Sequence, residues 1–337
     1  MDRFFGLLNF REVMRLGYSL GSALSINEVL NCASTLSNYN PDTVWIPETW
    51  GMENFSMLSA ISNKLKNPRI GSSIINIYSR SPTLIAMGAA TIDTISNGRL
   101  VLGLGTSSIP IVEEFHGHNF ENPLTRMTEY VQIIKKALSG EKIEFNGKIF
   151  SLKNFSLLIK PPRENIPIYL AAVNQKMVDL CWQIADGVIF YLRPLTEIEN
   201  TIKKMQSKRE IDVSCQLITC MSNDADKAIE RVKKTLAFYI SVGEIYRKFL
   251  ASNGFENETK NIFDEYKKSG LKSNHEQVPE SMLEQLCVYG TPDDCIKKLK
   301  RFHNAGVNLP IIQFNPVGDV TESFNLLTST FAGIENE

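Results

Sequence analysis

Two charged side chains that follow apolar runs, Glu48 and Arg193, are the residues of this 337-residue chain best suited to chemistry. A carboxylate in such a place could exchange a proton or hold a polar group, whereas a guanidinium suits a phosphate. Neither is accompanied by a nucleophile–base pair or by a second carboxylate at a useful spacing. The sequence therefore predicts that a bound cofactor supplies the reactive group.

The spacing of cysteines and histidines does not predict a metal site. The six cysteines are scattered without a C-x-x-C pair, and His116 and His118 are separated by a single glycine, which makes a poor ligand pair. Cysteines in apolar runs such as 213–220 behave as small hydrophobes when reduced. We therefore predict a metal-free, disulfide-free and cytoplasmic protein.

A pair of glycines, Gly103 and Gly105, closes an apolar run that begins at Leu100. A dinucleotide-binding G-x-G-x-x-G loop would need a third glycine, but Ser108 stands there and Pro110 follows, so this motif is not predicted. Because glycine has no Cβ, the pair could instead let a flat ligand approach the backbone closely.

The overall composition excludes several classes of partner. Lys and Arg total 36 against 37 Asp and Glu, a balance that argues against nucleic acid or an anionic membrane surface. No apolar run reaches the roughly 20 residues of a membrane helix. The apolar residues 4–8 lack a small-residue cleavage site, so we expect residues 1–14 to be an N-terminal extension rather than a signal peptide.

These residues need a scaffold, and the sequence predicts strands that alternate with helices. Short apolar runs separated by helical patterns are typical of βα units in a parallel sheet. Eight such runs predict an α/β fold, a (β/α)8 TIM barrel, whose chemistry lies at the carboxyl ends of its strands. The predicted strands cover residues 15–20, 43–47, 69–75, 100–104, 166–172, 187–191, 213–219 and 309–314.

Several helices carry recognisable start signals. Ser25 and Glu28 form a capping box, while Ser81-Pro82 and Thr291-Pro292 each place an N-cap before a proline at the first helical position. Asp93 and Arg99 are interpreted as structural, either an ion pair or a hydrogen-bonded bracket between helix and strand.

Two connections are too long for plain barrel loops. After the fourth strand, Asn122-Pro123 opens a helix that ends near Gly140, and residues 143–150 predict a hairpin on an Asn146-Gly147 turn. After the seventh strand, residues 224–287 are charged and helical, with glycines as breaks, and predict a lid or wall. No repeat or linker is visible, so residues 1–337 are expected to form one domain.

A family resemblance is carried by the run Ser79-Arg-Ser-Pro-Thr-Leu-Ile-Ala86 and by residues 93–105. Both resemble the signature of the bacterial-luciferase-like flavin and deazaflavin oxidoreductases. The resemblance continues through residues 112–117, 123–130, 166–172, 185–188 and 290–294, and it covers nearly everything from residue 16 to residue 320. The chain resembles most the branch dependent on coenzyme F420, a deazaflavin hydride carrier, which includes methylenetetrahydromethanopterin reductase.

The resemblance implies a coenzyme site at the carboxyl ends of the strands. In this family the third strand ends in a bulge with a non-proline cis peptide behind the tricyclic ring, and the matching bond is Ser73–Ile74. The implied catalytic residues are Glu48, Thr49 and His116, of which His116 could border the substrate cleft or cap a loop. The implied cofactor-binding residues lie in four strand-end segments: Ser73, Ile74, Asn76, Gly105, Thr106, Ser107, Ala172, Val173, Asn174, Tyr191 and Arg193.

The resemblance implies hydride transfer between reduced coenzyme F420 and an organic small-molecule substrate, with the reaction of the methanopterin enzyme as the example nearest to hand. Two alternatives stay open: an FMN-dependent monooxygenase of the same fold, and a non-catalytic flavin-binding or assembly protein. Ser19 or Leu20 stands where the methanopterin enzyme has a glutamate, which weakens the transfer of that substrate to this chain. A homodimer is expected by resemblance.

Overall fold

The computed structural model describes residues 14–21, 23–332 and 334, and within them eight parallel strands close into a barrel. The predicted (β/α)8 barrel is therefore confirmed. In chain order the strands are β1 (Gly17–Ser19), β2 (Thr43–Ile46), β3 (Arg69–Ser72), β4 (Ile75–Asn76), β5 (Leu100–Gly105), β6 (Ile143–Asn146), β7 (Ser151–Phe155), β8 (Ile168–Ala171), β9 (Gly187–Tyr191), β10 (Asp212–Met221), β11 (Cys287–Gly290) and β12 (Leu309–Phe314). The barrel runs β1, β2, β3, β5, β8, β9, β10, β12, and β12 pairs with β1 to close it. The predicted extension, residues 1–14, lies outside the described residues except for Met14.

Helices cover the outside of the barrel. They are α1 (Ile26–Leu36), α2 (Asn54–Ser62), α3 (Pro82–Ile95), α4 (Pro123–Leu138), α5 (Gln175–Ile184), α6 (Leu195–Gln206), α7 (Ala225–Val242), α8 (Glu244–Leu250), α9 (Glu256–Ser269), α10 (Glu280–Leu286), α11 (Pro292–Asn304) and α12 (Val320–Ala332). The capping boxes of α1 and α11 and the Ser81 cap of α3 are present as predicted. None of the helices in the described ranges is both long and apolar enough to cross a bilayer.

The lower part of the barrel lumen is filled by large side chains. Trp45 and Tyr169 lie with ring centroids 5.9 Å apart. Glycines make room for them: a Cβ on Gly17 or Gly71 would approach Trp45 to 2.7 or 2.4 Å, and one on Gly187 would approach Tyr169 to 2.8 Å. The lumen is therefore a packed core at this level, as expected for a barrel of eight strands.

A charged cluster closes the amino end of the barrel. Arg15 donates to Asp42 at 2.9 Å and to Asp212 at 2.8 Å, Arg69 pairs with Asp42, and the Tyr169 hydroxyl donates to Asp212. Burial acts to raise the pKa of Asp42, but Arg69 and Arg15 outweigh it and the pKa is lowered. Because this end of the fold serves stability rather than catalysis, the cluster is structural.

The first insertion forms a hairpin, but not the one predicted. β6 pairs with β7, with Asn146 opposite Ser151, so the connection is the four residues 147–150 rather than a tight Asn146-Gly147 turn. A buried carboxylate explains the wider loop. Glu129, on α4, accepts the backbone N–H of Lys148 at 2.6 Å, of Ile149 at 3.1 Å and of Phe150 at 2.9 Å.

The second insertion is helical, as predicted, and runs from α7 to α10 between β10 and β12. Gly243 separates α7 from α8, Gly254 (φ 92°) lies in the kink before α9, and Gly270 (φ 65°) ends α9. One prediction was incomplete, because Cys287 opens the short strand β11, which pairs with the end of β10. Its four residues were too few to stand out beside the helical pattern.

Asp93 and Arg99 are structural, but they bind separate partners. Asp93, fully buried, accepts the backbone N–H of Leu100 at 3.1 Å and pairs with Arg163 at 2.8 Å. Arg99 donates instead to three backbone carbonyls, those of Ser62, Pro68 and Ser96. The bracket between α3 and β5 is therefore made by Asp93, and Arg163 is the partner that the sequence did not indicate.

All six cysteines are free and buried. Burial raises the pKa of Cys32, Cys215 and Cys220 to about 12, so these thiols stay protonated at neutral pH.

Candidate active site

The carboxyl ends of the barrel strands form a mouth above the packed lumen. Side chains on a strand alternate between faces, so the positions two residues beyond the lumen layer face the same way. Beyond Tyr169, Ile189 and Ile311 these positions hold Ala171, Tyr191 and Gln313. The lumen therefore changes from large apolar residues to small and hydrogen-bonding ones where a ligand could enter.

The end of the third barrel strand has the predicted bulge. The Ser73–Ile74 peptide is cis, which confirms that prediction, and β4 continues beyond it along β5. The Ser72 hydroxyl donates to the Gly103 carbonyl and accepts the Gly103 N–H, both at 2.8 Å. This exchange fastens the bulge to the neighbouring strand.

The two glycines of β5 make room for that bulge rather than directly for a ligand. A Cβ on Gly103 would lie 1.8 Å from the Ser72 carbonyl oxygen, and one on Gly105 would lie 2.6 Å from the side chain of Ile74. Ile74 consequently lies against Gly105, where it is partly exposed in the mouth and packs on the large apolar side chains that fill the lumen. We expected a ligand to contact the glycine backbone. In the structure the side chain of Ile74 covers that position, so a ligand would contact Ile74 instead.

Two buried polar atoms flank Ile74 without a hydrogen-bond partner among the described residues. They are the Ser73 Oγ and the Asn76 Nδ2, although the Asn76 Oδ1 accepts the Tyr78 N–H at 2.9 Å. Leaving such groups unpaired costs about 1–3 kcal/mol each, so each points to a partner that binds. A flat molecule with an apolar face and a polar edge fits this arrangement.

The loops after the fourth and sixth barrel strands hold unusual backbone conformations. Ser107 has φ 59° and Leu192, which is buried, has φ 49°. Residues other than glycine rarely adopt this region, and such positions concentrate at binding sites. Thr106 and Ser107 are both partly exposed at the mouth, in a position to contact a ligand.

The loop after the fifth barrel strand leads into helix α5. Ala172 is buried, Val173 is partly exposed, and Asn174 is exposed and caps the helix by accepting the Met177 N–H at 3.0 Å. The Asn174 side-chain oxygen is thus engaged, and its amide nitrogen is the group left for a ligand.

Arg193 is neither solvated nor aimed into the mouth. Its side chain is buried, donates to the Val173 carbonyl at 3.0 Å and to the Thr201 hydroxyl at 2.9 Å, and stacks on the rings of Phe190 and Phe249, each 4.9 Å away. Burial lowers the pKa of this guanidinium. The geometry gives Arg193 the task of holding the Val173 loop, and a phosphate would have to displace these contacts to reach it.

Glu48 has a partner that the sequence did not predict. Both of its oxygens accept from the guanidinium of Arg80, at 2.6 and 2.7 Å, and the Asn54 N–H donates to it at 3.2 Å. Glu53 pairs with the same arginine from a more exposed position. Hydrogen bonding to Glu48 raises the pKa of Arg80. The pair ties the start of α2 to the start of α3, which is a positioning role.

We expect Glu48→Gln to lower the free energy of unfolding by about 1–3 kcal/mol, because the amide keeps one acceptor but loses the two-point ion pair. Urea unfolding followed by circular dichroism measures this, with the exposed Glu114→Gln as the matched control. A Glu48→Gln variant that keeps full stability and loses turnover would return Glu48 to an acid–base role.

Thr49 and His116, the other implied catalytic residues, are both exposed. Their segments meet through neighbours, since Trp50 and Phe115 contact edge to face at 5.6 Å. His116 follows a π-helical turn, Ile111–Phe115, in which Glu113 caps the loop by accepting the Phe120 N–H at 3.1 Å. The structure therefore brings Thr49 and His116 to the same side of the mouth, but none of the residues it describes is a partner that would activate either side chain.

A cavity of about 420 Å³ adjoins this region at the start of α3. Arg80, His118 and Arg126 are among its lining residues, with Glu121 also at its edge. The Arg126 guanidinium lies over the rings of Tyr78, at 4.5 Å, and Phe150, at 5.5 Å, and its Nε has no partner among the described residues. Sequence reasoning missed Arg80 and Arg126, although both lie within the motifs that carried the family resemblance.

Comparison with known proteins gives a consistent result. The model of the family described as luciferase-like monooxygenase matches residues 4–309. Over 299 residues the chain is 28% identical to a 5,10-methylenetetrahydromethanopterin reductase from Archaeoglobus fulgidus, covering 85% of this chain and 89% of that protein.

Solved structures share the fold. The coenzyme F420-dependent tetrahydromethanopterin reductase from Methanopyrus kandleri is similar with a TM-score of 0.83 and 20% identity, covering 94% of this chain and 98% of that one. An F420-dependent secondary alcohol dehydrogenase, in complex with an F420-acetone adduct, is similar with a TM-score of 0.77 and 17% identity, covering 95% and 99%.

Proposed function

The chain belongs to the luciferase-like monooxygenase family, and from this premise we propose that it is a coenzyme F420-dependent oxidoreductase. The observation that carries the proposal is the surface of Ile74, partly exposed over Gly105 and flanked by the unpartnered Ser73 Oγ and Asn76 Nδ2. A planar ring system with polar edges would cover the isoleucine and satisfy both polar atoms.

The residues present fit that coenzyme. Ile74 would support the ring, Ser73 and Asn76 would bond its polar edge, and Thr106, Ser107 and the 172–174 loop would contact the rest. When bound, the deazaflavin supplies a carbon that donates or accepts a hydride. The protein orients the substrate at that carbon and excludes water, which suits a mouth poor in acids and bases.

The finer assignment, a reaction resembling that of methylenetetrahydromethanopterin reductase, is part of this proposal. The Archaeoglobus relative supports it, and methylenetetrahydromethanopterin is therefore the first substrate to assay. Homodimer formation and a cytoplasmic location, both expected from the sequence, stay predictions.

We expect the purified protein to bind coenzyme F420 at micromolar concentration or tighter, about −8 kcal/mol or better, and FMN at least tenfold more weakly. Parallel fluorescence titrations of the two coenzymes measure this. The affinity should fall in Ile74→Asp, because a carboxylate forced against an aromatic plane in an apolar site is strongly penalised.

Preferential binding of FMN, with oxygen uptake by the reduced complex, would move the assignment to the monooxygenase alternative. Failure to bind either coenzyme would leave only a non-catalytic assembly protein. The exposed Leu158→Asp is a matched control for Ile74→Asp, since it introduces the same charge away from the mouth.

A further inference from the structure

A hydrogen-bond chain at the mouth fixes the orientation of one tyrosine. The Gln216 Nε2 donates to the Gln313 Oε1 at 3.2 Å, and the Gln313 Nε2 donates to the Tyr239 hydroxyl oxygen at 3.3 Å. Gln313 thus turns its oxygen to Gln216 and its nitrogen to Tyr239. The hydroxyl of Tyr239 therefore accepts from the protein and keeps its own proton for another partner.

A second tyrosine, Tyr191, is buried beside Tyr239 and Gln313. The Tyr191 hydroxyl is buried and makes no hydrogen bond within the described part of the chain, while its ring meets those of Tyr239 at 5.2 Å and Tyr246 at 5.4 Å, both edge to face. Burial and then Tyr239 raise the pKa of Tyr191 well above its usual value. Tyr239 and Tyr191 therefore present phenol hydroxyls, groups that can donate a hydrogen bond to a ligand.

The reaction proposed above needs such a donor. When a hydride forms a new C–H bond on the substrate, an electron pair of the bond from that carbon to oxygen or nitrogen moves onto the heteroatom, which then takes a proton. The substrate is reduced, the reduced deazaflavin is oxidised, and water restores any proton that the protein gives up. Glu48 is poorly placed for this task because both of its oxygens are bound to Arg80.

We propose that Tyr239, oriented by Gln313 and backed by Tyr191, donates a hydrogen bond to the heteroatom of the substrate that receives this electron pair. The proposal rests on the proposed function. It also defines a substrate class: an uncharged acceptor group, a carbonyl or an aminal, in which oxygen or nitrogen is bonded to the reacting carbon. The cluster is built from phenols and amides, so it offers this group no ion pair.

Binding of a carbonyl analogue tests the proposal without turnover. Isobutyramide carries a carbonyl oxygen that accepts hydrogen bonds but resists hydride transfer, and its binding to the protein without coenzyme can be followed by ligand-observed NMR. We expect Tyr239→Phe to weaken binding by about three- to tenfold, the value of one hydrogen bond, and Gln313→Met to weaken it as well. Tyr246→Phe removes a neighbouring hydroxyl that takes no part in these hydrogen bonds, and it should change the affinity for isobutyramide less than twofold.

Turnover supplies the second readout. With reduced coenzyme F420 and methylenetetrahydromethanopterin, Tyr239→Phe should lower kcat about 100-fold and abolish the solvent isotope effect, while coenzyme affinity stays within twofold. The proposal is overturned if wild-type protein does not bind isobutyramide, or if Tyr239→Phe and Tyr246→Phe behave alike. If, by contrast, the wild-type protein does not bind coenzyme F420, the proposed function is refuted. The isobutyramide experiment then still tests the role of Tyr239.

Discussion

Gly103→Ala is expected to destabilise the barrel by about 3 kcal/mol or more. The added methyl group would lie 1.8 Å from the Ser72 carbonyl oxygen and 3.0 Å from its carbon, and both are backbone atoms. Relief would require β3 and β5 to separate, which would also break the two Ser72 hydrogen bonds to Gly103. Urea unfolding followed by circular dichroism measures the loss.

Gly105→Ala and Gly51→Ala are graded controls for this effect. At Gly105 the new methyl group meets the side chain of Ile74, which can rotate away, so we expect a smaller loss of stability and a larger loss of F420 affinity. At Gly51 nothing lies within 4 Å, and we expect no change in either quantity. Equal destabilisation by Gly103→Ala and Gly51→Ala would show that the contact with Ser72 is not what limits the strand.

Glu129→Gln is expected to lower the free energy of unfolding by about 2–4 kcal/mol. The buried carboxylate accepts the N–H groups of three consecutive residues, and hydrogen bonds to a charged acceptor contribute about 1.5–3 kcal/mol each. A glutamine has one acceptor oxygen, so its amide nitrogen would face an N–H donor. Hydrogen exchange should show faster exchange at residues 148–150.

Glu144→Gln is the matched control, because Glu144 lies on the same hairpin with its side chain exposed. It should leave both the unfolding free energy and the exchange rates unchanged. If Glu129→Gln unfolds at the same urea concentration as Glu144→Gln, the carboxylate is not what holds the loop.

The barrel was predictable because its signals are local. Strands buried on both faces appear as continuous apolar runs. Capping residues and prolines predict where α1, α3 and α11 begin. Gly243, Gly254 and Gly270 marked the breaks in the insertion for the same reason. Each of these signals depends on residues within one turn or one strand, which a single sequence displays completely.

The site was harder to predict because its contacts join distant elements. Nothing near Glu48 in the sequence indicates that Arg80 will bind both of its oxygens, and an arginine after a strand looks the same whether it reaches solvent or, like Arg193, turns inward between two rings. Gly103 was expected to let a ligand approach the backbone, yet the group that lies against it is the backbone of Ser72. The hydrogen bonds that join Gln216, Gln313 and Tyr239 were missed because these residues lie on three different elements, β10, β12 and α7.

The closure of the sheet by β12 against β1 has a consequence for the timing of synthesis. Gly17 pairs with Ile311, and at about 5–20 residues per second a ribosome needs roughly 15–60 s to make the chain between them. Throughout that interval one edge of β1 has no partner strand to pair with. An unpaired edge of this kind is a template for pairing with other chains, so the nascent protein carries an aggregation-prone edge until β12 is made.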